Sequence, residues 1–472
     1  MKKTPQPTAI RLAVAVLLLA FEAAPALAQS NADLLNEIKA LKARIEELEK
    51  KVKAVPEPPA DGSTPQWGMT PEQFADYNKL VVKTEALEDS QESHGYKDLK
   101  IGGYMDPTFI YNVAQRRAGF QFLNPVHEDG YNYDNSYFGT VNLDFQKELE
   151  GGTRWRLTLM PQRGAGIVAD PSSYSIVHEA SFSIPMGDLQ TRFIGGQIPD
   201  WSGYEYIQAT TTKLVTRGLL LDFTEPTAYT AAGMEIIRGK WDVKGVVGNF
   251  NTSMQPPGGV SPVFAYRVDY SKGEFDGWGL AGVEGKVANF NSGVLPNVDP
   301  HTWLDLIEAD AYFIRGDLTL QGQVGYGHQK DAAITPDADG NARDAQWWGL
   351  SGLAAYKFQP RLEGAVRADY INDSHNGGGL LGYTGYYSPD DGVFGDYRNG
   401  IGVSPNCSLG ADCKGANRGA IALGFNYLLT ANTTVKAEYR YDFATEPVFY
   451  YVDSGNYKKN NSLFGASVVV GW

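Results

Sequence analysis

The sequence predicts an all-β transmembrane barrel of sixteen antiparallel strands, preceded by a short α-helical coiled coil. Three observations lead there. The first is the stretch Thr433 to Phe443, in which Val435, Ala437, Tyr439, Tyr441 and Phe443 alternate with Lys436, Glu438, Arg440 and Asp442. That is the period-two pattern of a strand with one apolar and one charged face. Charges in mid-strand suit a wall with lipid on one side and water on the other better than a packed soluble core. The second observation is that the joins between such strands alternate long and short, as outer loops and periplasmic turns do. The third is the final strand, where Phe464, Ala466, Val468, Val470 and the terminal Trp472 share one side, so that the chain stops on its lipid-facing aromatic.

Composition is compatible with this class. The 472 residues include 53 Gly and 27 Tyr, with 43% hydrophobic residues. Beyond the leader no run is long and apolar enough for a spanning helix, which needs roughly eighteen apolar residues or more. Barrel strands escape that test because only one face is apolar.

The N-terminus reads as a secretory signal over residues 1–28. Lys2 and Lys3 precede the apolar Leu12 to Phe21, and Ala26-Leu27-Ala28 forms a small-residue cleavage site, leaving Gln29 as the first mature residue. The full chain carries a net charge of −14. Cleavage removes Lys2, Lys3 and Arg11 against Glu22 alone, so the mature protein is more acidic still. That balance argues against nucleic acid and anionic membrane surfaces as partners.

Residues 29–55 are expected to form a periplasmic coiled coil. Ile38, Ile45 and Val52 fall at a, with Leu34, Leu41, Leu48 and Val55 at d. Glu37 at g faces Lys42 at e of a neighbour and Arg44 faces Glu49, as in parallel self-association. Ile at a with Leu at d leans toward two strands in isolated coils, so this seam alone leaves dimer and trimer open. Residues 56–96 hold a Pro-rich spacer, Pro56 to Pro65, and a short amphipathic helix. Thr70-Pro71-Glu72-Gln73 supplies an N-cap, a first-turn Pro and a capping-box Gln; Phe74, Tyr77, Leu80 and Val81 then share a face up to about Leu87.

The barrel occupies residues 97–472. Its expected strands are 99–112, 135–147, 153–161, 176–185, 189–198, 230–238, 242–250, 262–272, 277–288, 303–314, 318–328, 346–357, 361–370, 418–429, 433–444 and 461–472. One conflict lies at Gly218 to Phe223, which looks locally like a strand. Parity places it instead in one long outer loop, Asp200 to Tyr229, because an odd strand would put the two ends of the barrel on opposite sides of the membrane. Cys407 and Cys413 share a Gly-rich outer segment with no adjacent His, and a local disulfide is favoured over a metal or redox pair.

Alternation assigns Arg154, Arg156, Arg192, Arg267, Arg367, Lys436 and Arg440 to the lumen, against Asp144, Asp269, Glu308, Asp310, Asp369, Glu438 and Asp442. Such pairs either set selectivity or neutralise each other along a hydrated wall. No cofactor is expected. His94, His127, His178, His301, His328 and His375 are scattered without metal spacing, and Asp337, Asp339 and Asn341 miss the EF-hand register at Gly340 and Trp348. His178 and Glu179 are the nearest approach to a catalytic pair, but neighbours on a strand should face opposite sides.

Several resemblances add to this reading. The terminal Trp472 is similar to the assembly signal of bacterial outer-membrane barrels, although Val470 stands where a second aromatic is usual. In general porins the third outer loop enters the lumen; by that resemblance Tyr204, Glu205, Tyr206, Lys213, Arg217, Asp222 and Glu225 are constriction candidates, the alternative being a rim or subunit contact. Signal peptide, coiled coil, spacer and sixteen-stranded barrel together resemble the DcaP-like porins, which implies a homotrimeric diffusion channel. RAGFQFLN (117–124) and GQIPDWSGYEY (196–206) also look like a proteobacterial family of uncharacterised outer-membrane proteins. The expected partners are therefore other copies of the chain, outer-membrane lipid and small hydrophilic solutes, with organic anions such as dicarboxylates suggested by the DcaP likeness and the lumen arginines. A different class also fits: a structural protein tethering the outer membrane to the cell wall or a periplasmic partner through its coiled coil.

Overall fold

In strand after strand, alternation sends every second side chain to one face, and the sheet closes so that these faces become an inside and an outside. The computed structural model describes residues 70–93, 98–122, 138–160, 176–250, 262–271, 273–289, 291–292, 295–380 and 413–472, with 387–388, 393–394, 402–404 and 407. The signal peptide and the coiled-coil positions Ile38, Leu41, Ile45, Leu48 and Val52 lie outside the described residues, as does most of the spacer.

Helix α1, Pro71–Ser93, starts as the capping box dictates. The Gln73 N–H donates to Thr70 Oγ1 at 3.1 Å and the Thr70 N–H to Gln73 Oε1 at 2.9 Å. It runs past the expected end near Leu87, through Glu88 to Ser93.

The barrel strands are β1, in two collinear halves Leu99–Met105 and Thr108–Asn112; β2, likewise Arg117–Gln121 and Val141–Glu148; β3 Arg154–Leu159; β4 Val177–Pro185; β5 Thr191–Pro199; β6 Ala228–Arg238; β7 Trp241–Phe250; β8 Val263–Ser271; β9 Asp276–Ala288; β10 His301–Arg315; β11 Leu318–Gln329; β12 Ala345–Gln359; β13 Leu362–His375; β14 Arg418–Thr430; β15 Thr433–Ala444; and β16 Asn460–Gly471. Each pairs antiparallel with its sequence neighbour, and β1 pairs with β16 (Tyr104↔Gly471, Ile110↔Gly465), which closes the sheet at sixteen strands. Trp472 extends the seam, exchanging backbone hydrogen bonds with Gly103 at 3.1 and 3.3 Å.

β1 divides at Asp106-Pro107 because Pro107 has no N–H to give the ladder. The Asp106 carboxylate takes the Thr140 N–H at 2.6 Å there. One expectation needs correcting: residues 113–134 are not wholly an outer loop, since Arg117–Gln121 folds back onto Thr108–Asn112 and forms the upper half of β2. The strand parity is unchanged by it.

The outside is apolar and aromatic: Tyr439, Tyr441 and Phe443 on β15, Ile421, Leu423 and Phe425 on β14, and Phe464 on β16 are all exposed. On β15 the register sets Tyr439 opposite Phe464, with ring centroids 4.8 Å apart. Cys407 and Cys413 are joined by a disulfide in the segment following β13, with Cα atoms 5.9 Å apart. Arg343 and Thr335 bond the Cys413 carbonyl at 2.8 and 2.9 Å.

Candidate functional site: an inward-folded segment and the passage beside it

The run Gly218 to Phe223 forms a short helix, α2 (Leu219–Phe223), within the segment joining β5 to β6. Its apolar residues decide where the segment goes. Leu219, Leu220 and Phe223 are at most 1% exposed and pack against Val246, Val283, Leu304, Trp347 and Ile371, all inward-facing wall residues. Full burial of such side chains stabilises by about 1.5–3 kcal/mol each. Further along, Tyr204 and Leu214 pack on Leu353, Ala355, Ala365 and Ala422, while Val215 meets Ile110 and Leu463. The segment therefore lies inside the barrel, with an apolar core of its own against the wall.

Hydrogen bonds fix it along β8 and β10–β15. On β15, Lys436 Nζ donates to the Ala209 carbonyl at 2.7 Å, and Glu438 accepts the Val215 and Thr216 N–H groups at 2.6 and 2.7 Å. Arg440 donates to the Arg217 carbonyl at 2.7 Å and, with Arg418, holds Asp442. On β13, Arg367 binds Glu205 at 2.8 Å, Asp369 at 3.0 Å and the carbonyls of Thr216 and Arg217. On β8, Arg267 grips Asp310 through two bonds of 2.8 and 3.1 Å, Asp269 at 2.8 Å, and the Trp201 carbonyl. Glu308 takes the Gly203 N–H at 2.7 Å, and Lys213 pairs with Glu363 at 2.9 Å. Gly203 sits at φ +74, where a Cβ would come within 2.8 Å of Glu225 Oε1, so a side chain there would be strained.

This corrects the expectation that the strand charges face open water. Arg267, Glu308, Asp310, Arg367, Asp369, Lys436, Glu438, Arg440 and Asp442 point inward as alternation requires, yet all are buried under the segment. The reason is desolvation: a charge covered by protein must find a charged or hydrogen-bonding partner, and these have found the segment's backbone and one another. Asp269 alone of the β8 and β10 set stays half-buried. Arg192 is buried too, but at the foot of β5, where it ties the Gly152 and Ser183 carbonyls at 2.7 and 2.9 Å. Arg154, paired with Glu148 at 3.0 Å, remains exposed.

Of the segment's own candidates, Tyr204 bonds Ser351 Oγ at 2.7 Å, Glu205 is held by Arg367, and Arg217, Asp222 and Glu225 are buried; Tyr206 is exposed. Burial pushes Asp222 up to about 8 and holds Glu225 well above the usual carboxylate range, the neighbouring Glu308 charge adding to the second effect. Asp200, buried while accepting from Tyr229 and Ser202, is pushed up to about 6.

A cavity of about 500 Å³ remains between the segment and β1–β4. Its wall carries Tyr104, Asn142, Asp144, Arg156, His178 and Glu179, facing Tyr206, Gln208 and Thr211. Arg156 and Glu179 also line a second cavity of about 720 Å³ that extends to the short turn after β2. Arg156 binds Asp144 at 2.8 and 3.2 Å and lies 3.5 Å from Glu179. His178 and Glu179 were expected on opposite faces. Both line this cavity because the β3–β4 register slips between Thr158↔Glu179 and Leu159↔Val177, a bulge that re-aims one residue. Sequence reasoning also passed over Gln323, Ser351, Glu363 and Asn426, which hold the segment: they share the inward register of the flagged charges, but three of the four are uncharged.

A closed, even-stranded antiparallel barrel with an apolar outside, a charged inside and a lumen narrowed by an inward-folded segment defines an outer-membrane β-barrel of porin architecture. The chain belongs to the family described as "Protein of unknown function (DUF3138)", whose model matches residues 68–255 and 261–472. Among curated proteins none matches. Similar solved structures include OmpT (in-vitro folded, trimer form), an outer membrane protein of Vibrio cholerae, at 11% identity and a TM-score of 0.47, covering 79% of this chain and 99% of that one. The anion-selective porin from Comamonas acidovorans is similar at 11% and 0.49, with the same coverage. The outer membrane channel DcaP of Acinetobacter baumannii is similar at 12% and 0.46, covering 79% and 97%.

Proposed function

We propose that the protein is a passive diffusion channel for small hydrophilic solutes, with segment 200–229 as its constriction. The observation that carries this reading is the seating of the segment: it is bonded to β8 and β10–β15, and beside β1–β4 a cavity of about 500 Å³ with charged residues in its wall shares Arg156 and Glu179 with one of about 720 Å³. A fixed narrowing beside a polar path is what a sieving channel needs. Arg154, Arg156, Glu148 and Asp144 are strand charges that stay partly exposed beside this path, and Glu179 lines it.

Organic anions such as dicarboxylates are the solutes that the DcaP likeness and the inward arginines suggest. Arg267, Arg367 and Arg440 use their donors on carboxylates and backbone carbonyls, which weakens that support. Self-association as a homotrimer through Ile38, Leu41, Ile45, Leu48 and Val52 belongs to the same proposal, supported by their unbroken a/d seam. Planar-bilayer recording tests it. Stable conductance, in three steps for a trimer, is expected, and its absence from pure, folded protein would leave the structural-tether reading in its place. Removing residues 31–55 should leave conductance per barrel intact.

A further inference from the structure

The 500 Å³ cavity has a sign, whereas in the wall of the 720 Å³ one Lys100, Lys147, Arg154 and Arg156 balance Asp98, Glu148, Glu150 and Glu179. Among the residues lining the 500 Å³ cavity the cation is Arg156, and the carboxylates are Asp144, Glu179, Asp200 and Glu205. Each can be followed to its partner. Glu205 is held by Arg367, which reaches it from β13 at 2.8 Å and also pairs with Asp369. Arg156 is shared between two carboxylates, Asp144 at 2.8 Å and Glu179 at 3.5 Å, so this wall triad keeps one negative charge in excess. Asp200 accepts from Ser202 and Tyr229, which are neutral donors, and adds to the same sign. Facing the triad across the cavity, Tyr206, Gln208 and Thr211 bring no charge at all.

A second observation marks the wall at the same place as polar. Asn142 and His178 line the cavity and are each 4% exposed, yet Asn142 Nδ2 and His178 Nε2 have no hydrogen-bond partner among the described residues. Buried polar atoms are ordinarily paired. Two that are not stand in the wall beside the net-negative triad and add to its polar character.

We infer that the passage along β1–β4 is a cation-favouring filter, in which Asp144 and Glu179 set the preference and admit small cations and ammonium-bearing solutes ahead of organic anions. This rests on the channel reading above. Excess charge on the wall of a narrow, low-dielectric passage concentrates counter-ions and repels co-ions. The preference is graded rather than absolute, because Arg156 cancels part of the field and the 720 Å³ cavity is balanced.

Reversal potentials in a KCl gradient test it on the full-length protein in planar bilayers. Wild type should pass potassium ahead of chloride by several-fold; Asp144→Asn with Glu179→Gln should bring that ratio down toward unity, and Arg156→Gln should raise it. Should the double variant fold poorly, Gln208→Lys on the opposing segment leaves the triad intact and should lower the ratio in the same direction. Chloride preference in wild type, or a ratio that neither the neutralised nor the lysine variant moves, overturns this inference alone. A folded barrel that does not conduct overturns the channel reading and this one with it.

Discussion

Replacing Glu438 with Gln probes what holds the segment inside the barrel. Glu438 is 5% exposed and takes three hydrogen bonds from two consecutive residues: Val215 N–H at 2.6 Å, Thr216 N–H at 2.7 Å and Thr216 Oγ1 at 2.6 Å. Bonds to a charged acceptor are worth about 1.5–3 kcal/mol each, but three on one carboxylate are not additive, and loss of one member of a buried charged set costs about 3–5 kcal/mol. The amide keeps one acceptor and turns an –NH2 toward a donor, so a local cost of about 4 kcal/mol is a reasonable centre. At 1.4 kcal/mol per decade, opening of this stretch becomes about a thousandfold easier. Hydrogen exchange followed by mass spectrometry reads this directly: peptides spanning residues 209–219 should lose about two to three decades of protection, while those from β10–β12 keep theirs. Equal loss across the barrel would mean general destabilisation. Unchanged protection at Val215 and Thr216 would mean that the apolar packing of Leu214 and α2 holds the segment without the wall charges, and would refute the reasoning.

Three further outcomes follow from the same contacts. Asp222 keeps its proton in the seated segment up to about pH 8, whereas a displaced carboxyl loses it near pH 4; the seated form is therefore favoured fully below that lower value, less as pH rises, and not at all by this group above about pH 8. Glu225 acts in the same direction, so current fluctuations should grow from pH 6 to pH 9, and Asp222→Asn should flatten the change. Gly203→Ala forces a side chain onto φ +74 and against Glu225 and Gln323; about 2 kcal/mol of local strain is expected, seen as faster exchange near Trp201 to Tyr204 with the strands unaffected. Converting Cys407 and Cys413 together to Ser should cost about 2 kcal/mol of local order in that segment, speed limited proteolysis at 402–415, and leave conductance unchanged because the bridge touches neither segment 200–229 nor the passage.

Much of the barrel was legible because strand geometry has a period of two and connection lengths have a parity. Gly218 to Phe223 shows how far parity carries. Locally GLLLDF reads as a strand, but only an even count returns both termini to one side, and the stretch is a helix within the segment joining β5 to β6. Arg117–Gln121 shows the limit in the other direction: a five-residue strand half has too little pattern to stand out, and its pairing with Thr108–Asn112 is visible only once the sheet is formed. His178 marks a third kind of limit. Strict alternation would put it opposite Glu179, and nothing in the local sequence announces the bulge that brings both to one cavity.

What the period could not say is what an inward side chain meets. Lys436, Glu438, Arg440 and Asp442 were placed on the correct face, and their alternating sign suggested a wall that neutralises itself in water. The structure gives the alternation another use. The cations at Lys436 and Arg440 answer carbonyls of Ala209, Thr212 and Arg217, and the anion between them answers the N–H groups of Val215 and Thr216. Strand residues two apart are spaced about 7 Å, and the opposite signs on this one strand match successive acceptor and donor groups of the segment's backbone. A wall of one sign would leave half of those backbone groups buried and unpaired, at about 1–3 kcal/mol each. The near-cancellation of charge on β15 is therefore the requirement for seating a segment, whereas Asp144, Arg156 and Glu179, on strands the segment leaves uncovered, line the cavity beside it.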